Sequence, residues 1–346
     1  MAVRWLTRIG KACTPISKVV PMARSSPVAC CRSNSRRVSL KRSVLVAVGC
    51  ACIAFTAHVV CAEDPEAVLR VCADPNNMPL SNDRAEGYEN QIAEELARDL
   101  RRKVEYTWFP QRMGFVRNTL RSKDARTEQF KCDVIIGVPK GYELTATTRT
   151  YMRSTYALLL PWREDFEGIR TAEDLLKLPA DKRQTLRIGV FGRSPGADWL
   201  LRNQMMEHAV FYAPQSGDPA ESPAHMIEQD LEAGKIDAAI LWGPIAGFLS
   251  GRHAGFPKWR AAPFMPDNAI KFDYEMSMGV RFGEKEWKDQ LDTWIGSHQT
   301  RISEILTRYR VPLLDVNGQL VESAQAADQA RAGSVPKTIP LRIEPQ

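Results

Sequence analysis

The chain has 346 residues, 44% hydrophobic and 25% charged, which is enough apolar material for a sizeable core. Its formal charge of +6 belongs to the first 62 residues, which hold ten Lys or Arg and no Asp or Glu; without them 37 basic residues face 41 acidic ones, a balance near −4. A basic nucleic-acid-binding domain is thereby excluded.

Val44 to Val60 is an apolar segment of signal-peptide length behind Lys41-Arg42, and Val60-Cys61-Ala62 before Glu63 fits a small-residue cleavage site. Residues 1–62 therefore read as a cleaved export signal. Seventeen apolar-leaning residues with His58 near the end are marginal for crossing a bilayer, so no stable membrane insertion is expected after cleavage. Ser35-Arg36-Arg37-Val38-Ser39-Leu40-Lys41 resembles a twin-arginine export signature, but Ser39 stands where an aromatic is usual, which favours Sec export to the periplasm. Val60 argues against lipidation of Cys61, and whether translation starts at Met1 or Met22 stays open.

After the leader, VLRVCAD (68–74) reads as a strand and runs into Pro-Asn-Asn-Met-Pro. GYEN then opens a helix whose apolar Ile92, Leu96 and Leu100 recur every fourth residue. EYTWFP (105–110) reads as a second strand, FVRNTL (115–120) as a second helix and CDVIIGVP (132–139) as a third strand, apolar enough to be covered on both faces. Tyr156 to Trp162 is a plausible strand crossing into a second lobe, where Leu186 to Phe191 is strand-like. In GRSPGADWLL, Ser194 is a good N-cap and Pro195 a favoured first helical residue, so the helix start could take an anion or simply be a capped helix. Met226 to Leu231 reads as a helix stopped by Gly234, and IDAAILWGP (236–244) as a buried strand. The Pro- and aromatic-rich stretch 256–266 carries the chain back, Tyr274 to Arg281 is a strand and Glu286 to Tyr309 a long helix. The tail from Asn317 is polar and Ala/Gln-rich and is expected to be extended or mobile.

Strands alternating with helices imply right-handed crossovers and a common ligand edge at the strands' carboxyl ends. The expected fold is α/β, of the periplasmic binding protein-like type II class, two lobes with a cleft at the hinge. Residues 63–161 form the first part of lobe 1, 162–271 lobe 2, 272–316 the return to lobe 1 and 317–346 the tail. Six of the eight cysteines leave with the leader, and Cys72 and Cys132 remain. An oxidising compartment invites a disulfide between them. Aligning the strands nonetheless puts Cys72 nearer Ile135 than Cys132, about 10 Å of offset, and leaves the bond open. No His accompanies either cysteine at metal-ligand spacing.

VCADPNNMPLSN, EGYEN, EYTWFPQRMGFVRNTL, CDVIIGVPKGYE and RSTYALL, with GVRFGEKEWKDQLD and RYRVPLLD further on, resemble the MoxJ/XoxJ-type solute-binding-like accessory proteins of quinoprotein methanol dehydrogenases. The resemblance implies a non-catalytic periplasmic protein, without a cofactor of its own, whose partner is a PQQ-dependent alcohol dehydrogenase and with it that enzyme's cytochrome c. The alternative is an ABC-transporter receptor for a small non-amino-acid solute. Amino-acid receptors of this fold resemble one another in an Arg some seven residues after the glycine of the third strand, for the substrate carboxylate, and in an acid after the DA-apolar strand, for the amine. Here Glu143 and Leu144 stand near the first position, and Trp242 and Gly243 near the second. A bidentate Arg–carboxylate contact has no uncharged substitute.

The edge offers Met78, Trp108, Pro139, Tyr142, Tyr151, Tyr156, Trp242 and Pro244, joined by Asn77, Arg112 and Ser194. Together they suggest an aromatic-lined cleft for a small hydrophobic ligand or, preferably, a partner segment, although some of these rings belong to the core in any fold. Arg112, Arg117 and Arg121 could form a basic stripe for an acidic partner or a ligand carboxylate, or only a solvated face. Catalysis is disfavoured: His208, His225, His253 and His298 are scattered, no GxSxG, HExxH or phosphate loop occurs, and Glu89 reads as a helix-start residue favoured by the dipole.

Overall fold

The computed structural model describes residues 67–214, 218, 220–252 and 258–321. The expected export signal and the tail beyond Val321 lie outside the described residues. Strand β1 (Val68–Ala73) leads through the small hairpin β2 (Asn76–Asn77) and β3 (Ser81–Asn82) into helix α1 (Tyr88–Asp99). Gly87 is the N-cap, and only glycine fits there because a Cβ would collide with the Leu80 carbonyl. Asn90 closes the start, its side-chain oxygen accepting from the N–H groups of Gly87 at 3.0 Å and Asn82 at 3.2 Å. Next come β4 (Lys103–Trp108), the single turn α2 (Phe115–Asn118) and β5 (Val134–Pro139), five of whose six residues are buried. β1 pairs in parallel with both β4 and β5.

The crossing strand is longer than the sequence suggested. β6 (Ala146–Pro161) begins ten residues before Tyr156. Its first part is rich in Thr and Arg and shows no apolar alternation. Beyond it lie α3 (Ala180–Arg183), β7 (Ile188–Phe191), α4 (Pro195–Arg202), β8 (Ala209–Tyr212), α5 (Pro223–Glu232), β9 (Ala238–Trp242), α6 (Gly243–Gly251) and β10 (Trp259–Pro263). Then β11 (Asp273–Val280) and α7 (Lys285–Arg308) follow. The stretch taken for a plain return contains β10, which pairs antiparallel with β6. Asn317 to Val321 is not extended either: Leu314 bridges Leu320 around a turn at Asp315.

The strand order β4-β1-β5-β11-β6-β9-β7-β8 makes β6 common property. Its first part pairs with β11 and its last part with β9 and β10. One core joins α1 and α7 to the β1/β5/β11 side, and two others surround β7 and β9. Two lobes thus share one strand, and the carboxyl ends of β1 and β5 face the junction.

Candidate functional site

Loops after β1 and β4 meet the segment between β8 and α5 around a cavity of ≈ 110 Å3, lined by Asp74, Asn76, Asn77, Gln111, Arg112, Asp218, Glu221 and three prolines. Asp74 organises its floor. One carboxylate oxygen accepts from the Asn76 N–H at 2.9 Å and the other from the Gln111 N–H at 2.5 Å, while the Ser81 hydroxyl donates to the Asp74 carbonyl at 2.8 Å. Asn77 donates to the Gln111 side-chain oxygen at 2.9 Å, fixing both amides. Asn76 Nδ2 reaches across to the Ala220 carbonyl at 2.9 Å, so the lobes are in direct contact at the cavity mouth.

A second feature lies at the crossing. Tyr156 and Trp242 are cross-strand partners on β6 and β9 with ring centroids 5.5 Å apart, and Tyr274 on β11 stands 5.8 Å from Trp242 and 6.4 Å from Tyr156. The edge-on arrangement suits the ring quadrupoles. Burial, and then Tyr274, push the Tyr156 hydroxyl up to about 12; burial also raises Tyr274, with Asp273 and Asp198 adding to it.

A third feature was missed in the sequence. Glu89 is only 5% exposed, its carboxyl laid over β5 where a Cβ on Gly137 would collide with it. Tyr88 OH, Glu89 Oε1, Asn90 Nδ2 and Tyr151 OH are buried without a hydrogen-bond partner. Each such atom costs about 1–3 kcal/mol. Burial, and then the Asp74 charge, push the Glu89 carboxyl up to about 8. The helix dipole, taken as its reason for being there, is outweighed by desolvation. Tyr151 and Tyr88 are raised for the same reason, burial first. The one available signal was Gly137 in an otherwise β-branched strand, since a glycine there marks a close approach.

The expected site residues therefore divide. Asn77 and Arg112 line the interlobe cavity, and Met78 sits beside it in the same loop. Tyr156 and Trp242 pack together at the crossing. Trp108 instead stacks on Tyr106 at 4.5 Å along the edge strand β4, Tyr142 packs with Phe109 against the core around Cys72, and Pro139 is exposed at the end of β5. Ser194 is buried, its side chain accepting from the Ala197 N–H as a helix cap. Two expectations are corrected by burial: Tyr151, 1% exposed, is core of lobe 1, and Pro244 is closed inside the first turn of α6. Among the described residues, the cavity lining is carboxylate, amide and proline with the Arg112 guanidinium, and includes no aromatic ring.

Cys72 and Cys132 are bonded, with Cα atoms 5.4 Å apart. Cys72 does pair in register with Ile135, but Cys132 precedes β5, where the chain turns back toward β1 and removes the offset an extended strand would impose. No group of three or more His, Cys, Asp or Glu among the described residues is placed to hold a metal ion, and no described helix is long and apolar enough to cross a membrane.

Two α/β lobes around a shared strand, with a polar cavity where they meet, define a protein of the periplasmic binding protein-like class. No family model matches the sequence. The crystal structure of periplasmic binding protein XoxJ from Methylobacterium extorquens AM1 is 33% identical and aligns over 71% of this chain and 99% of that one, with a TM-score of 0.56. Protein MoxJ of Methylorubrum extorquens AM1 is 28% identical over 274 residues, 74% of this chain and 85% of MoxJ. An ancestral cationic amino acid solute-binding protein, 16% identical with a TM-score of 0.52, shares the fold alone. The chain belongs to the MoxJ/XoxJ family of periplasmic binding proteins.

Proposed function

We propose that the protein is an exported, periplasmic and non-catalytic accessory that supports the activity or maturation of a PQQ-dependent alcohol dehydrogenase, methanol being the expected substrate class of that enzyme. The observation carrying this reading is the 33% identity to XoxJ over nearly the whole of that protein. The interlobe cavity adds support, because its amides and Asp74 are tied to the protein's own backbone and side chains and its volume is small for a solute of drug size. Glu143 and Leu144 are exposed in the turn after β5, so the carboxylate-binding half of an amino-acid clamp has no counterpart at that position. The division into lobes at residues 161 and 271 belongs to the same proposal.

Deleting the gene tests it. Alcohol-dehydrogenase activity should fall while the dehydrogenase protein stays detectable by immunoblot, and complementation should restore it. Unchanged activity under conditions that express the cognate enzyme overturns the reading. Transport of a small solute is the second reading, favoured by the lobe-to-lobe contact from Asn76 to Ala220, which is the kind of closure a receptor needs. Calorimetry decides between them: no common amino acid should bind tighter than about millimolar, roughly −4 kcal/mol, whereas a micromolar solute revives transport.

A further inference from the structure

The amino-terminal edge of lobe 1, at the opposite end of β1 from the interlobe cavity, carries an open groove of ≈ 710 Å3. Val68 and Trp287 line it together with Arg70, Arg102, Arg281 and Lys285. Asp133, Glu284 and Glu286 also line it and offset much of this charge, Arg281 pairing with Asp133 at 3.4 Å and Glu284 at 2.7 Å and Arg70 with Asp133 at 3.3 Å, so the excess of positive charge lies in the neighbouring segment 117–131.

A band of cations and rings continues from the groove. The Arg281 guanidinium lies 4.1 Å from the centroid of Phe130, which carries Lys123 at 5.3 Å. The next residue, Phe282, is 60% exposed with Arg121 5.7 Å above it, and Arg121 donates to the carbonyl of Leu144, itself 37% exposed. Residues 117–131 contribute Arg117, Arg121, Lys123, Arg126 and Lys131 against Asp124 and Glu128, in a chain that is near −4 once its leader is removed. The segment is also held rigidly. The disulfide anchors Cys132, Arg281 donates to the carbonyls of Leu120 and Cys132, and Asp124 accepts from the N–H groups of Arg126 and Thr127.

We infer that this edge docks an acidic, extended segment of a partner protein, its carboxylates meeting the arginines and lysines and an apolar side chain resting on Phe282. Phe282 stands exposed with the Arg121 guanidinium over it, beside a basic segment in an otherwise acidic chain. Arg and aromatic side chains are the residues that anchor partners, and a surface already rigid loses little entropy on binding. Charge on such a surface steers association and makes it sensitive to salt. The inference rests on the accessory reading, with the cognate dehydrogenase as the partner that presents the acidic segment.

The test is biolayer interferometry of the processed chain against the purified cognate dehydrogenase at 50 and 200 mM salt. Wild type should bind, weakening severalfold or more with salt. Arg117→Glu/Arg126→Glu/Lys131→Glu should weaken binding at least tenfold at low salt and flatten the salt dependence, and Phe282→Ala should weaken it about tenfold at both salts. Thermal melting checks that each variant is folded; if the triple variant is not, the wild-type salt slope and Phe282→Ala decide alone. A folded triple variant that binds like wild type and restores activity in the deletion strain overturns the docking edge and leaves the accessory reading standing. Failure of wild type to bind the dehydrogenase overturns the docking edge, and unchanged activity on deletion removes the accessory reading as well.

Discussion

The two ends of lobe 1 use polar groups in opposite ways. Around the interlobe cavity Asp74, Asn77, Gln111 and Ser81 hydrogen-bond to one another, and Asn76 holds the other lobe. At the amino-terminal edge Arg121 lies over the exposed ring of Phe282 and Lys123 over the half-buried ring of Phe130. The polar groups of the cavity are satisfied within the protein, while the edge keeps several cations exposed to solvent. In a fold whose usual ligand site is the cleft, this contrast moves attention from the space between the lobes to the outside of one of them.

The largest effect should come from the disulfide, which ties the end of the edge segment at Cys132 to the carboxyl-terminal part of β1. Cys72→Ser/Cys132→Ser frees a loop with a sequence separation of 60, which the chain-entropy model values at about 4 kcal/mol. Denaturant melts should show that loss, and limited proteolysis should cut first within 117–131. If cutting begins at the lobe junction, the edge is not the part that the bond holds. Next is the crossing: Trp242→Ala removes a ring packed on Tyr156 and Tyr274 and should cost about 3 kcal/mol, since the ring is only partly buried. A stability loss with normal binding of the dehydrogenase would place Trp242 in the frame and outside any docking site.

Glu89 supplies a pH test of the cavity end. Its carboxyl is held near 8 in the fold against 4.5 ordinarily, so the folded state takes up a proton more readily than the unfolded one. The associated stability is complete below about pH 4.5 and is lost as pH rises through about 8. Glu89→Gln should flatten that dependence and be the more stable protein at pH 8. If urea melts give wild type and Glu89→Gln the same change in unfolding free energy between pH 5 and pH 8, Glu89 is solvated. The smallest effect is expected from Asn76→Ala, which removes one bond between the lobes. Stability should change by about 1 kcal/mol or less, and small-angle scattering should show a more open molecule. Unchanged dimensions would mean that this contact does not hold the lobes together.

Helical spacing at Ile92, Leu96 and Trp294 and the apolar runs of β5 and β9 made the principal elements and the fold class legible in the sequence. What escaped was set by neighbours rather than by local pattern. β8 and β10 are short, and the first ten residues of β6 carry too many Thr and Arg to declare themselves. The site was read less well, because aromatic side chains at strand ends were grouped by position along the chain. Trp108, Tyr142 and Tyr151 in fact lie on an edge, near the disulfide and in the core. In the sequence Glu89 reads as a helix-start residue favoured by the dipole, and nothing local shows that its carboxyl is buried against the bare backbone at Gly137. In the sequence Cys132 runs into β5 without a break, whereas the chain bends just before the strand and the two cysteines come within bonding distance.

Strand β6, shared by both lobes, also fixes an order of assembly. Lobe 2 has its strands in place once β10 has been made, because β7, β8, β9 and β10 add to the end of β6 that precedes them. Lobe 1 waits longer: β11 must slot between β5 and β6, and α7 must cover them, although β1 was made first. A chain delivered amino terminus first therefore holds its earliest strands incomplete until its last helix arrives. That interval is when apolar β1 and β5 are open to wrong partners and when a folding assistant would find them.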